Sequence, residues 1–114
     1  MTDTRIEELE LSIEEAQRVI ILRDKLIKLQ KNKDFKEIFE KELLENYATN
    51  TVYALSNPNM QDKATQEDLI KELEMIGRFR LFCSSIYQRG NYAEKAIYDN
   101  KEAIAEIRRE GGID

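Results

Sequence analysis

The chain has 114 residues and a mass of 13.4 kDa, with 36% charged residues and a formal net charge of −5. This length fits one domain and is too short for two independent cores, and the negative charge opposes binding to DNA or to anionic membranes. With no histidine and one cysteine, Cys/His zinc sites, internal disulfides and the common Ser-His-Asp or Cys-His catalytic groups each lack a required residue.

The first strong helical pattern runs from about Ser12 to Lys31. Ser12 and Glu15 form a capping box at its start. The segment before Ser12 fits either a helix or a short strand, and we favour a helix, extended or frayed. Residues 1–11 also fit a flexible arm that orders on a partner. The apolar positions form two offset stripes, Ile13, Ala16 and Ile20, and then Val19, Leu22, Leu26 and Leu29.

A turn at residues 31–34 separates this helix from a second one. We expect Asp34 to cap the second helix, with Glu37 at its third position. The helix runs to about Ser56 with a broad apolar face. Pro58, which stands between two asparagines, marks the clearest break in the chain, and the connection extends to about Thr65.

Thr65 and Asp68 predict a capping box at the start of a third helix. Gly77 lies in the middle of this helix, where glycine costs about 1 kcal/mol relative to alanine. A close helix crossing and an exposed position both explain such a glycine. Cys83 falls in the apolar pattern and is predicted to be a small buried hydrophobe rather than a reactive thiol.

The Arg89-Gly90-Asn91 sequence predicts the end of the third helix, because glycine suits the position just beyond a helix end. Asn91 and Glu94 then predict the capping box of a fourth helix, which stops at Gly111-Gly112. The patterns together predict an all-α fold of three to four helices in one domain, residues 1–114. We expect a long antiparallel helical hairpin or a bundle with coiled-coil character.

Two groups of polar residues bear on metal binding and catalysis. Paired carboxylates such as Glu14-Glu15 are best explained as solvated helix faces, since the helical di-metal pattern also requires histidine. Residues 57–68 partly match the spacing of a calcium loop, but the first position is Asn57 rather than Asp and the sixth is Asp62 rather than Gly. An ordinary connection is the better interpretation, and we expect no catalytic residue, metal or cofactor.

Basic and aromatic residues alternate in the sequence Gly77-Arg78-Phe79-Arg80-Leu81-Phe82. In an extended strand this pattern could contact nucleic acid, but on a helix the side chains point in different directions. Arg78 and Arg80 are therefore expected to pair with carboxylates on a neighbouring helix. With Arg89, they are also the candidate phosphate contacts, although nucleic acid is an unfavoured partner.

Several short segments of this sequence resemble small helical proteins of tailed bacteriophages that are associated with virion morphogenesis. The similarity spans roughly residues 34–109, and the resemblance implies no catalytic residue. The segments are Asp34-Phe35-Lys36-Glu37-Ile38, Glu45-Asn46-Tyr47-Ala48, Asn57-Pro58-Asn59-Met60-Gln61, Ile76-Gly77-Arg78-Phe79-Arg80 and Arg89-Gly90.

The leading functional hypothesis is a non-enzymatic phage structural or assembly protein that binds copies of itself and other phage proteins. Its broad apolar faces support this hypothesis, because one small bundle would not cover them all. The expected location is the virion or the cytoplasm of the infected bacterium, with no membrane association. The residues predicted to form hydrophobic contacts, some within the subunit and some between subunits, are Val19, Leu22, Leu26, Leu29, Phe35, Phe39 and Leu43.

Two other functions fit the same sequence. One is an acidic inhibitor or regulator of a host protein, because an excess of Asp and Glu can compete for basic nucleic-acid sites. The other is an oligomeric accessory protein for DNA packaging or recombination that binds DNA through its arginines.

Overall fold

The computed structural model describes residues 2–111, and every regular element in that range is helical. Helix α1 spans Thr2–Gln30, helix α2 spans residues 33–55, and helix α3 spans Lys63–Gly111; a 3-10 turn at Pro58–Met60 lies between α2 and α3. The predicted all-α class is confirmed. The described residues form two compact units, a terminal unit of residues 2–26 and 85–111 and a central unit of residues 27–84.

In the terminal unit, the first part of α1 packs antiparallel to the last part of α3. Near one end of the pairing, Arg23 donates a 2.8 Å hydrogen bond to Asn91, and near the other Arg108 lies 3.4 Å from Glu10. The core of this unit is small and lies largely on α3. It contains Ile86, Ala93 and Ile104, each less than a tenth exposed.

The prediction that the first helix begins at Ser12 is wrong. Helix α1 begins at Thr2, and Ser12 is an exposed residue in its interior. The stripe of Ile6, Leu9 and Ile13 explains the longer helix, because all three side chains are partly buried against the rest of the unit. The helical interpretation of the segment before Ser12 is therefore the correct one.

The predicted helix end at Arg89-Gly90-Asn91 is also wrong, because α3 continues without interruption from Lys63 to Gly111. Gly90 is buried, and no described glycine has a positive φ. A Cβ atom on Gly90 would lie 2.6 Å from Cβ of Arg23 and 2.8 Å from its Cγ. The glycine is required by the close approach of α1, not by a change in backbone direction. Gly112, the second residue of the predicted C-terminal stop, lies outside the described residues.

In the central unit, α2 packs antiparallel to the first part of α3. The rings of Phe39 and Phe79 stack with centroids 5.7 Å apart, and the Tyr47 hydroxyl donates a hydrogen bond to Glu72. That bond, together with partial burial, raises the pKa of Tyr47. Ile76 and Thr51 are the two most buried side chains of this unit. The Thr51 hydroxyl donates to the carbonyl of Tyr47, 2.8 Å away, so it is not an unpaired polar group in the core.

The middle of α2, Lys36–Tyr47, is a π-helix between α-helical segments at Lys33–Phe35 and Ala48–Leu55. A π-helix has a wider turn, with hydrogen bonds from residue i to residue i−5. Side chains on its inner face consequently recur every four to five residues. The sequence has this spacing, since the partly buried positions from Phe35 to Ala48 include Phe39, Glu40, Leu43 and Leu44.

Helices α2 and α3 both begin a few residues before the positions that the sequence predicted. Asn32, not Asp34, caps α2, since its side-chain oxygen accepts hydrogen bonds from the N–H groups of Asp34 and Phe35 at 2.9 and 3.0 Å. Thr65 does not cap α3. The Asp62 carboxylate accepts bonds from the N–H and hydroxyl of Thr65 at 3.0 and 2.9 Å, and these bonds lower the pKa of Asp62.

The connection between α2 and α3 is held by side-chain amides. Gln66 donates to the carbonyls of Leu55 and Met60, at 3.0 and 2.8 Å, and Gln61 donates to those of Leu55 and Asn57, at 3.0 and 2.6 Å. These bonds satisfy carbonyls that the end of α2 leaves without a helical partner. The connection is thus built as an ordinary Pro-containing turn.

Candidate protein-interaction surface

The described residues bury few side chains completely. None has an exposed fraction below 2%, and fifteen large hydrophobic side chains are exposed, from Met60 at 38% to Tyr92 at 72%. Scattered exposed hydrophobic residues are normal, but groups of them on one helix face are typical of protein-interaction surfaces. Ten of the fifteen lie in the central unit: Leu29, Ile38, Tyr47, Val52, Tyr53, Met60, Ile70, Met75, Leu81 and Phe82.

The residues predicted to form hydrophobic contacts differ in their exposure. In the terminal unit, Val19 and Leu26 are partly buried, whereas Leu22 is 48% exposed. In the central unit, Leu29 is also 48% exposed. The other three are partly buried: Phe35, Phe39 and Leu43.

Phe35 and Phe39 contribute to contacts within the central unit. Their rings are 4.9 Å apart, and Phe39 in turn stacks on Phe79 of α3. Aromatic pairs of this kind stabilise packing by about 0.5 to 1.5 kcal/mol beyond the area that they bury. These two residues therefore help to hold α2 against α3, and the exposed Leu22 and Leu29 are better placed for contacts with another molecule.

The most concentrated exposed apolar group surrounds Arg78 on α3. Residues three or four positions apart are neighbours on a helix surface, so Met75, Leu81 and Phe82 all border Arg78. Their side chains are 57%, 69% and 58% exposed. We call these four residues the Arg78 patch.

The three candidate phosphate contacts are exposed on α3. Arg78 and Arg80 are two positions apart and leave the helix about 200° from each other, so they do not form one patch. Neither forms an ion pair with a carboxylate of residues 3–111, contrary to the expected pairing with a neighbouring helix. Arg89 lies in the terminal unit and donates a 3.3 Å hydrogen bond to the carbonyl of Ser85.

The sequence analysis missed a polar network around Arg23. This arginine is 8% exposed and lies in α1 against α3. Its guanidinium donates to Glu94, to Asn91 at 2.8 Å and to Asp24 at 3.0 Å. The hydrogen bond to Glu94 is the largest cause that raises the pKa of Arg23, and the bond to Asp24 is the second largest. The guanidinium therefore stays charged. Asn91 and Glu94, which resembled a capping box, instead hold this guanidinium.

The lone thiol and the carboxylates offer little chemistry. Cys83 is partly buried, and burial raises the pKa of its thiol, which disfavours the reactive thiolate. Among the described residues no three Asp, Glu or Cys side chains are close enough together to hold a metal ion. A shallow surface depression along the π-helical segment is lined by alternating lysines and glutamates, such as Lys36, Glu40 and Lys41.

Comparisons of the chain with protein-family models, with curated proteins and with solved structures gave no match. None of the helices in residues 2–111 has an apolar stretch of the length needed to cross a membrane. The geometry of the exposed surfaces is therefore the main basis for a functional proposal.

Proposed function

We propose that the protein is a non-enzymatic assembly protein that associates with copies of itself through its helices, with packing of the coiled-coil type. The observation that carries this proposal is the set of fifteen exposed large hydrophobic side chains. Full burial of a large apolar side chain gains about 1.5 to 3 kcal/mol, and covering these partly exposed ones gains a corresponding fraction of it. A surface of this kind favours association over a dispersed monomer.

The biological setting that we propose is virion assembly, with other phage proteins as further partners. The support for this setting is the resemblance of residues 34–109 to small helical phage proteins. The proposed location is accordingly the particle or the cytoplasm of the infected bacterium. Self-association does not depend on this setting and can be tested alone.

Sedimentation equilibrium of the purified chain tests the proposal. We expect the average mass to rise from 13.4 kDa to a multiple of it between about 1 µM and about 1 mM. This range covers association free energies from about −8.2 to about −4.1 kcal/mol. A mass of 13.4 kDa at every concentration would contradict the proposed self-association.

A further inference from the structure

The solvent-facing side of α1 in the terminal unit carries three exposed apolar residues. Ile13 and Ile20 are partly buried and mark the packed side of this helix. Leu11, Ile21 and Leu22 lie on the other side and are 55%, 54% and 48% exposed. Positions eleven residues apart return to nearly the same side of an α-helix, so Leu11 and Leu22 form an exposed apolar stripe with Ile21 at its edge.

Charged residues accompany this stripe, and their sign changes along the helix. The first half carries two pairs of glutamates and the second half carries two cations, all of them exposed: Glu7, Glu8, Glu14 and Glu15, and then Arg18 and Lys25. None of the six forms an ion pair with a side chain of the described residues. Six carboxylates and one arginine give residues 3–15 a net charge of −5. We call the six charged residues, together with Leu11, Ile21 and Leu22, the outer face of α1.

We propose that the outer face of α1 binds the same face of a second copy of this chain, with the two helices antiparallel. One register then joins complementary residues along the whole face: Glu14 and Glu15 meet Arg18, Leu11 meets Ile21 and Leu22, and Glu7 and Glu8 meet Lys25. Because the contact has two-fold symmetry, each of these pairings between copies occurs twice. The inference rests on the proposed self-association and specifies its surface and its orientation.

The charges of the outer face select the antiparallel arrangement over the parallel one. In a parallel pair of helices in register, Arg18 would face its own copy, and each pair of glutamates would do the same. Like charges placed opposite each other disfavour binding, whereas the antiparallel pair sets each cation against two glutamates. Charged residues beside an apolar seam determine orientation in coiled coils in this way. The apolar stripe therefore supplies area to cover, and the charges fix the direction.

A contact of one face with itself closes at two copies. A larger assembly then needs a further surface, and the Arg78 patch of the central unit remains exposed for it. Coverage of Met75, Leu81 and Phe82 consequently reports assembly beyond the dimer, whereas the outer face of α1 carries the first step.

Two variants with reversed charges test the contact. The acidic variant carries Arg18→Glu and Lys25→Glu. The basic variant carries four substitutions: Glu7→Lys, Glu8→Lys, Glu14→Lys and Glu15→Lys. Within each variant all charges of the face have one sign, so we expect self-association at least about tenfold weaker than in the wild type, as measured by sedimentation equilibrium. An equimolar mixture should form a one-to-one dimer, because an acidic face then meets a basic one.

A third variant, which combines all six substitutions in one chain, tests the orientation. It inverts the polarity of the outer face, so an antiparallel pair again joins opposite charges and a parallel pair still joins like ones. We expect its self-association to return to within about threefold of the wild-type value. A mixture of the first two variants that dimerises, together with a combined variant that does not, would overturn the antiparallel contact.

Lys95→Glu with Lys101→Glu is the matched control for the acidic variant. Both lysines are exposed on α3 in the same unit, and neither forms an ion pair among the described residues. This control makes the same change in net charge outside the outer face of α1, and it should associate like the wild type. Circular dichroism establishes that all the variants fold.

The outcomes separate the inference from the proposed function. Wild-type association that neither charge variant weakens would overturn the inference and leave the proposed self-association standing. Weakened variants that do not combine in a mixture would also overturn it, because the altered charges would then not face each other. Equal weakening by the control would assign the effect to net charge and overturn it as well. A monomeric wild type would contradict the proposed self-association and the inference together.

Discussion

At the scale of single residues, the contact between Gly90 and Arg23 explains two features of the terminal unit. A glycine in the interior of α3 lets the Arg23 side chain cross the helix closely and reach Asn91 and Glu94. Those partners are needed because a buried guanidinium without hydrogen bonds is strongly destabilising. The glycine and the arginine therefore form one structural arrangement.

Replacing Gly90 by alanine tests this arrangement. The new methyl group would overlap the first atoms of the Arg23 side chain, which are fixed to the α1 backbone, and overpacking of this kind costs about 1 to 3 kcal/mol. The better helix propensity of alanine offsets about 1 kcal/mol of this cost. We expect a net loss of about 1 kcal/mol in the free energy of unfolding, measured by urea titration at a fixed protein concentration.

Gly77→Ala is the matched control, because it makes the same change in the same helix. No side chain lies within 4 Å of a Cβ atom at Gly77, and this residue is exposed. We expect it to stabilise the protein by about 0.5 to 1 kcal/mol. Equal stabilisation by the two alanines would show that Arg23 does not approach Gly90 closely.

The sequence could not predict this contact, for a physical reason. A glycine followed by asparagine is locally the signal of a helix end, and the residue that decides the conformation is far away along the chain. Arg23 lies three residues from both Ile20 and Leu26, on the side of the helix that carries these apolar residues, and a charge in that position was the one available indication. The prediction for Gly77 was closer to the structure, because an exposed position was one of the two reasons expected for a glycine there.

At the scale of the elements, helix class was predictable and helix boundaries were less so. The apolar periodicity predicted helices in the regions of α1, α2 and the first part of α3, and Pro58 with its flanking asparagines predicted the break between α2 and α3. The π-helical segment was not predicted, because its wide apolar face also fits an α-helix that contacts two neighbours. The stacking of Phe39 on Phe79 depends on packing between helices, which local periodicity does not specify.

The start of α3 gives a prediction that depends on pH. The two bonds from Thr65 hold the folded pKa of Asp62 below its ordinary value of 3.8. A carboxyl group with a lowered folded pKa contributes stability that is fully present above the unfolded pKa. This stability is lost as the pH falls through the folded pKa, because the protonated group is a poorer hydrogen-bond acceptor.

Asp62→Ala should therefore destabilise the protein at neutral pH, and the difference from the wild type should shrink as the pH falls below about 4. Thermal unfolding followed by circular dichroism from neutral to acid pH measures this difference. Asp68→Ala is the control, since Asp68 belongs to the capping box that the sequence predicted and the structure does not form. A difference for Asp62→Ala that stays constant with pH would contradict the role of this carboxylate at the helix start.

At the scale of the whole molecule, the uneven distribution of charge and apolar surface is the main functional feature. The first residues of α1 carry a net charge equal to that of the entire chain, and the middle of α3 is basic. Both regions carry exposed apolar side chains, which the proposed association would cover.

The apolar stripes in the sequence predicted hydrophobic contacts within and between subunits, but they did not distinguish the two kinds of contact. Phe39 stacks on Phe79 within the central unit, whereas Leu81 on α3 is exposed. Two apolar helix faces look the same in a sequence when one packs inside a subunit and the other does not. The tertiary arrangement of α2 and α3 is what distinguishes them.

Hydroxyl-radical footprinting tests most directly whether the exposed apolar surface is covered by another chain. We expect oxidation of Met75, Leu81 and Phe82 to fall as the protein concentration rises through the range of association, while Tyr53, which lies outside the Arg78 patch, keeps its labelling. Mass spectrometry of peptides from samples at low and high concentration gives the comparison. If Met75, Leu81 and Phe82 stay fully reactive in samples that sediment as oligomers, another surface carries the association; if the samples stay monomeric and reactive throughout, the proposed assembly function is contradicted.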